Sequence, residues 1–353
     1  MEYKDNWEEA KKRIEAWWHR EIIDRVCMVV YAPKENVKRK EIKIPYTLEE
    51  RWTNMDFLLE SAEEDIRCTY WGGEALPAYM PTLGPNVFSA WLGCELKFAE
   101  GTSWTEPFIK DWNSFQGLKF DPDNKWWKWM TEMTERTAKA GKDKFLTGIT
   151  DIHGGGDALS ALRGTENFCM DLIEHPDKIK ECQEFLKNFW FRVHKDLIAL
   201  TQKYGQEGSC SWLGWAPAKT CPLQEDCLAL ISPKMFREFF RDAIIEESKY
   251  LDYSLFHFDG PQCIPHTELL LEIPTLNGIQ WNQGAGHGPM TKWIPLLKKI
   301  QQAGKLIHIS IGPTELETIL TELSPKGLMI YAGTSSEEEA KALIKKAEKL
   351  THG

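Results

Sequence analysis

From residue 205 onward, short runs rich in β-branched and aromatic residues alternate with amphipathic stretches every ~25 to 30 residues, the periodicity of repeated βα units. The runs predict strands at Gly208–Trp215, Tyr253–His257, Gly278–Trp281, Leu306–Ile311 and Leu328–Tyr331. Between them, helices are predicted to begin near Ser232-Pro233, Pro265, Thr291, Pro313-Thr314 and Ser335-Ser336, residue types that helix N-termini favour. The last helix, opening Ser335-Ser-Glu-Glu-Glu-Ala, places acidic residues in the first turn, where the helix dipole welcomes them, and runs to Leu350.

The N-terminal half is less regular. Its pattern predicts a helix at Trp7–Trp18, a strand at Val26–Tyr31, a helix at Leu48–Glu63 and a hairpin over Leu96–Phe108. A helix over 123–140 then leads to a strand at Phe145–Ile149, and a long helix Ile179–Tyr204 follows the His175-Pro176-Asp177 break. With the five later strands, those at Val26 and Phe145 make seven βα candidates, and the irregular region before residue 123 has room for an eighth. The economical solution is an α/β fold, a single (β/α)8 TIM-type barrel with an N-terminal helical elaboration over residues 1–22. No linker rich in Gly, Pro or Ser divides the chain, so residues 1–353 read as one domain.

Charge narrows the partners. The net charge of −10 comes from interspersed acidic and basic residues, so no basic face for nucleic acid is evident. No run of about 18 apolar residues occurs and the first residues are polar, which predicts no membrane partner and a soluble, cytoplasmic protein. Nine cysteines, an odd number without a Cys-x-x-Cys, predict reduced thiols. Sixteen tryptophans include the clusters Trp126-Trp127-Lys-Trp129 and Trp212-Leu-Gly-Trp215, which suit either an aromatic-walled pocket or core filling.

In a barrel, reacting groups sit at the C-terminal ends of strands, and several predicted strands end in polar or aromatic residues. The Phe145 strand runs into Asp151, His153 and Asp157; the Gly208 strand ends at Trp215, with Asp226 in the loop beyond. The Tyr253 strand ends in His257-Phe-Asp259-Gly260 and the Gly278 strand in Gln280-Trp281-Asn282, while His308, Ser310 and Tyr331 close the last two. Each residue alone also reads as a turn former or helix cap, but their recurrence at one edge favours a site.

Asp151-Ile-His153-Gly-Gly-Gly156 matches the Asp-x-His-x-x-Gly pattern that offers a histidine to the cobalt of a corrinoid. It lacks the later glycine pair of such domains and reads better as a turn that lets the backbone approach a substrate. Gly284-Ala-Gly-His-Gly288 has neither P-loop nor dinucleotide spacing, and no Gly-x-Ser-x-Gly elbow occurs. His266 and Glu272 follow His257 closely enough to join it around a divalent metal such as zinc.

The order of Leu96-Lys-Phe, Asp171-Leu-Ile-Glu-His-Pro-Asp177, Ile231-Ser-Pro-Lys-Met-Phe-Arg-Glu-Phe239 and His257-Phe-Asp259-Gly260 resembles the uroporphyrinogen decarboxylase superfamily. The stretch Leu270-Leu-Glu-Ile-Pro-Thr-Leu-Asn-Gly-Ile-Gln-Trp281 is similar to a branch related to its corrinoid-dependent methyltransferases. The resemblance covers most of the chain from about residue 20. It implies a barrel with a deep cleft and one of two activities: decarboxylation of a porphyrinogen, or methyl transfer to or from a corrinoid.

Two departures shape the expectation. The decarboxylases carry Met-Arg-Gln-Ala-Gly-Arg where this chain has Asp24-Arg25-Val-Cys-Met-Val-Val-Tyr-Ala-Pro33, so a polycarboxylate tetrapyrrole lacks its partners. The thiol-methylating relatives bind zinc through His-x-Cys, whereas Asp259 stands where that cysteine would be. The resemblance then implies a methyltransferase or demethylase that moves a methyl group from a small O- or N-methylated compound to a partner corrinoid protein. His257, Asp259 and Asp226 would be its acid/base groups, with His257 also a candidate metal ligand. Trp215 and Trp281 would hold the donor, and Asp151, His153 and Asp157 would orient it. The alternatives are a cofactor-independent decarboxylase or lyase acting on a small carboxylic acid, and a non-catalytic binding protein on the same scaffold.

Overall fold

The structure, a computed structural model, describes residues 1–351. Its first strands are β1 (Cys27–Pro33), β2 (Thr69–Gly73), β3 (Ala78–Tyr79) and the hairpin β4 (Glu95–Ala99) and β5 (Thr102–Glu106). Then come β6 (Leu146–Thr147), β7 (Ser209–Ser211), β8 (Gly214–Ala216), β9 (Thr220–Gln224) and β10 (Tyr253–Asp259). The last are β11 (Gly278–Asn282), β12 (Leu306–Ser310) and β13 (Leu328–Gly333).

Seven of these form one sheet in the order β2-β1-β13-β12-β11-β10-β9, parallel throughout except for the antiparallel β1–β2 pair. Strands β9 to β13 are neighbours in chain order and are joined by helical segments, the arrangement that the alternating pattern of the C-terminal half demands. Beyond the sheet, β3 pairs in parallel with β6, and the Ile149 N–H donates to the Cys210 carbonyl at 2.9 Å, linking the β6 segment to β7.

Alternation along the strands separates two cores. One face, with Phe256, Phe258, Ile279 and Trp281, packs against the helices in the larger core. The other, with Cys27, Val29, Leu255, Leu306 and Met329, forms a second core that the helix Trp7–Trp18 covers with Ile14, Trp17 and Trp18. On that second face the register sets His257 beside Gln224 and Gln280, and Gln280 beside His308.

Two local expectations are corrected, the single strand Gly208–Trp215 and the single helix Leu48–Glu63. The run Gly208–Trp215 is a hairpin, β7–β8, rather than one strand, and β9 follows it. Strand β9 (Thr220–Gln224) tolerates Pro222, which has no N–H to give, at the edge of the sheet, where it has a ladder partner, β10, on one side only. The helix expected over Leu48–Glu63 is two, Leu48–Thr53 and Met55–Arg67, because Asn54 leaves the helix and caps the second by accepting the Phe57 N–H at 3.0 Å. Arg25 is buried with its guanidinium on Glu74 (2.6 and 2.8 Å), so it is committed to the scaffold.

Candidate active site

Strand β10 delivers His257 and Asp259 to the end of the second face, while Phe256 and Phe258, pointing the other way, anchor the strand in the larger core. His257 Nδ1 is hydrogen-bonded to Gln280 Oε1 on the neighbouring strand, and the Trp212 ring meets the imidazole edge-on at 5.0 Å between centroids. That contact holds the ring in one orientation and leaves Nε2 free. Asp259 Oδ1 is sealed from solvent and has no hydrogen-bond partner among the described residues.

The segment after β6 and the end of β9 supply the other half. Asp151 accepts from Gln224 Nε2 at 2.7 Å, and its other oxygen lies 2.8 Å from His153 Nε2. His153 Nδ1 lies 3.8 Å from Asp157 Oδ2. Asp157 in turn accepts the backbone N–H groups of Asp226 (2.9 Å) and Cys227 (2.8 Å), fixing the loop that follows β9. Burial alone would push the His153 imidazolium down, but the Asp151 and Asp157 carboxylates outweigh it and hold it up at about 10. Burial likewise works against the Asp151 carboxylate, yet His153 keeps it below the ordinary aspartate value.

The glycines Gly154–Gly156 play a different part from the one their sequence suggests. Gly155 has φ +50°, and a Cβ there would sit inside the Glu225 carboxyl; a Cβ on Gly156 would collide with Cys227 Sγ. The backbone therefore approaches Glu225 and Cys227 of the protein itself. Glu225 Oε2 accepts the Gly156 N–H at 2.8 Å and the Cys227 thiol at 3.5 Å. Burial, with the Asp157 charge beside it, pushes Glu225 well above the usual carboxyl range.

Asp226 is where the two halves meet. The ligand atoms of His153, Asp157 and Asp226 lie within 4.8 Å of one another, and so do those of Asp226, His257 and Asp259. Burial first, then the Asp157 charge, pushes Asp226 up to about 6, although the residue is open to solvent. A cavity of about 460 Å³ opens over His153, Asp157 and Asp226, with Pro85, Asn86 and Thr105 also in its wall. The set offers imidazole nitrogen and carboxylate oxygen, a donor chemistry that suits zinc, manganese or another divalent ion. Cys263 belongs to neither of these groups of mutually close donors, and burial pushes its thiol up to about 12.

The remaining residues singled out in the sequence lie elsewhere. Trp281 is fully buried on the opposite face of β11 from Gln280, against Phe258 and Trp293 at 5.4 and 5.2 Å, so it cannot touch a donor in this cavity. Trp215 is buried away from the carboxylates, its indole N–H on the Glu207 carbonyl at 2.8 Å and its ring against Trp7. It lines an interior chamber of about 240 Å³ with Tyr31, Trp71, Trp212 and Tyr331. Trp212 thus stands between that chamber and His257. His266 bonds the Leu228 carbonyl at 3.0 Å and Glu272 lies 3.6 Å from Arg241, so neither joins His257.

Gln224 and Glu225, which hold Asp151 and the glycine turn, were not singled out by sequence reasoning. The available signal was the polar run Gln224-Glu225-Asp226 closing the apolar segment Cys221-Pro-Leu223.

No family model matches the chain, and no curated protein matches its sequence. Among solved structures, its fold is similar to that of a methyltransferase from Methanosarcina mazei, with a TM-score of 0.63. The match spans 96% of this chain and 98% of that one at 14% sequence identity. At that identity the likeness is one of fold.

Proposed function

We propose that the chain is a methyltransferase that takes a methyl group from a small O- or N-methylated compound and passes it to a partner corrinoid protein. In this reading the sheet and the β3–β6–β7 segments close into a (β/α)8 barrel, with the site at the C-terminal ends of its strands. The observation that carries it is the placement of His257, Asp259 and Asp226 together at those ends in a chain that shares a methyltransferase's fold over nearly its full length.

The residues divide the work. The donor's apolar body lies in the aromatic chamber against Trp212 and Trp215, and its methylated heteroatom reaches past Trp212 to His257. A divalent ion held by His257, Asp226 and Asp259 would supply Lewis-acid activation of the leaving heteroatom. The reduced corrinoid of the partner would supply the electron pair that takes up the methyl carbon, and the heteroatom would keep the pair of its broken bond to that carbon. The heteroatom then takes its proton from solvent admitted through the open cavity over Asp226. Gln280 fixes the His257 ring throughout. The experiment is incubation with reduced corrinoid protein and a panel of methoxyarenes and methylamines. A methyl-cobalt absorbance spectrum with at least one donor is expected, and no such spectrum with any donor refutes the reading.

A second reading is a cofactor-independent decarboxylase of a small carboxylic acid, in which metal-free Asp226, pushed up to about 6 and open to solvent, returns a proton to the carbon that loses CO2. Full turnover of a carboxylic acid after exhaustive chelation would support it, and loss of that turnover would exclude it.

A further inference from the structure

We infer that the site is built for two divalent metal ions bridged by Asp226, rather than for one ion at His257. The inference rests on the reading of this cluster as the active centre, but not on the reaction assigned to it. The first observation is that Asp226 belongs to both groups of mutually close donors, His153–Asp157–Asp226 and Asp226–His257–Asp259. Each ion thus receives one imidazole, one carboxylate of its own and one shared carboxylate, the composition of two-metal sites whose ions stand about 3.5–4 Å apart.

The second observation is the state of the two histidines. Each has one ring nitrogen engaged by an acceptor outside the cluster: His153 Nε2 by Asp151, itself held by Gln224, and His257 Nδ1 by Gln280. This is how metal-bound imidazoles are oriented, with the ring locked from behind and the opposite nitrogen turned to the ion. The nitrogens left for an ion are then His257 Nε2 and, once an incoming ion displaces its proton, His153 Nδ1. The 3.8 Å from His153 Nδ1 to Asp157 Oδ2 is too long for a hydrogen bond. Two ligands at about 2.1 Å from one zinc stand roughly 3–4 Å apart, so a shared ion spans that gap.

The third is independent of the clustering. Asp259 Oδ1 is buried without any hydrogen-bond partner, a costly state for a carboxylate oxygen that an ion would relieve. Among the described residues, no lysine or arginine forms an ion pair with Asp157, Asp226 or Asp259; the one partner is His153 on Asp157. Three carboxylates from a helix, a loop and a strand end call for cationic charge, and among the described residues Lys and Arg supply none of it.

The test uses the full-length protein stripped of metal and reloaded with zinc or cobalt alone, with bound ions counted by elemental analysis after desalting. Two ions per chain are expected, falling to one in His153→Ala and to one in His257→Ala. In the dicobalt form the electron spins should be exchange-coupled, and Asp226→Asn should abolish the coupling. Thermal unfolding of each apo variant checks that it is folded, and His153→Gln serves if His153→Ala is not. One ion per chain that is indifferent to His153 substitution, or no tight binding at all, overturns the inference. Two ions without methyl transfer to any corrinoid would leave it standing while refuting the proposed reaction.

Discussion

The Asp157 carboxylate accepts the backbone N–H of Asp226 at 2.9 Å, so one member of the cluster positions another. Its second oxygen accepts the Cys227 N–H, and together these bonds pin the segment after β9 against the helix Gly155–Arg163. Asp157→Asn keeps one acceptor and turns an amide NH2 toward a backbone N–H. The expected cost is about 1–3 kcal/mol of stability, the range for losing a charge-assisted hydrogen bond, together with a loss of activity. Urea denaturation of both proteins checks it; an unchanged midpoint would refute the pinning role.

Gln280→Met preserves volume and removes the acceptor that orients His257. Zinc affinity is expected to fall about 10- to 100-fold, as for other partners that orient metal-bound histidines, while thermal stability changes little. Titration with a competing chelator measures the affinity, and equal zinc binding by both proteins would show that Gln280 does not orient a ligand.

Gly155→Ala should destabilise severely, because the new methyl group meets the Glu225 carboxyl at a position with φ +50°. Glu225→Ala removes the obstacle, so the double variant should recover part of the loss, a non-additivity measurable by chemical denaturation. Strict additivity would argue that φ strain alone is responsible.

Trp281→Ala removes a fully buried indole from between Phe258 and Trp293 and should cost about 3–5 kcal/mol, with donor affinity unchanged in the protein that still folds. Trp212→Ala should do the reverse, raising KM with little effect on stability, since Trp212 is only partly buried and faces both the chamber and His257. Steady-state kinetics beside denaturation curves separates the two, and a raised KM for Trp281→Ala would contradict its placement.

Acid should weaken the protein through His194. Burial pushes this imidazole down to about 4, and the nearby Lys219 charge adds to the effect; its nitrogens face Tyr250 Oη and the Thr220 carbonyl, and Trp190 stacks on it. The folded-state value lies below the unfolded one, near 6.5, so the stabilisation is complete above about pH 6.5 and is lost as pH falls toward 4. The full loss is ~3 kcal/mol. Buried Glu247, pushed up to about 8, favours folding as pH falls and so opposes this trend. The informative quantity is therefore the difference between wild type and His194→Gln. The variant should lose about 2 kcal/mol less between pH 7 and 4.5, and parallel pH profiles would remove His194 from the account.

The alternating pattern was legible because each C-terminal βα unit carries its own signals: a strand apolar on both faces, then a helix with a defined start. Strands β10 to β13 lie close to their expected positions for that reason. So does the delivery of His257 and Asp259 to one strand end, which follows from period-two alternation within seven residues. What the chain could not show locally was pairing. No strand was expected between Gly208–Trp215 and Tyr253–His257, and β9 exists because its ladder partner β10 lies beside it in the sheet. Trp281 looked like a donor-binding aromatic until the register put Gln280, its neighbour, beside His257 and so turned the indole into the core. Asp226, placed in a loop and grouped with His257 and Asp259 only through the resemblance, is brought between His153 and His257 by the fold. Residue type and local period determine which groups a segment offers and to which face. Which groups meet is decided by contacts between segments as many as 106 positions apart, as in the path from His153 to Asp259, and no local pattern encodes those distances.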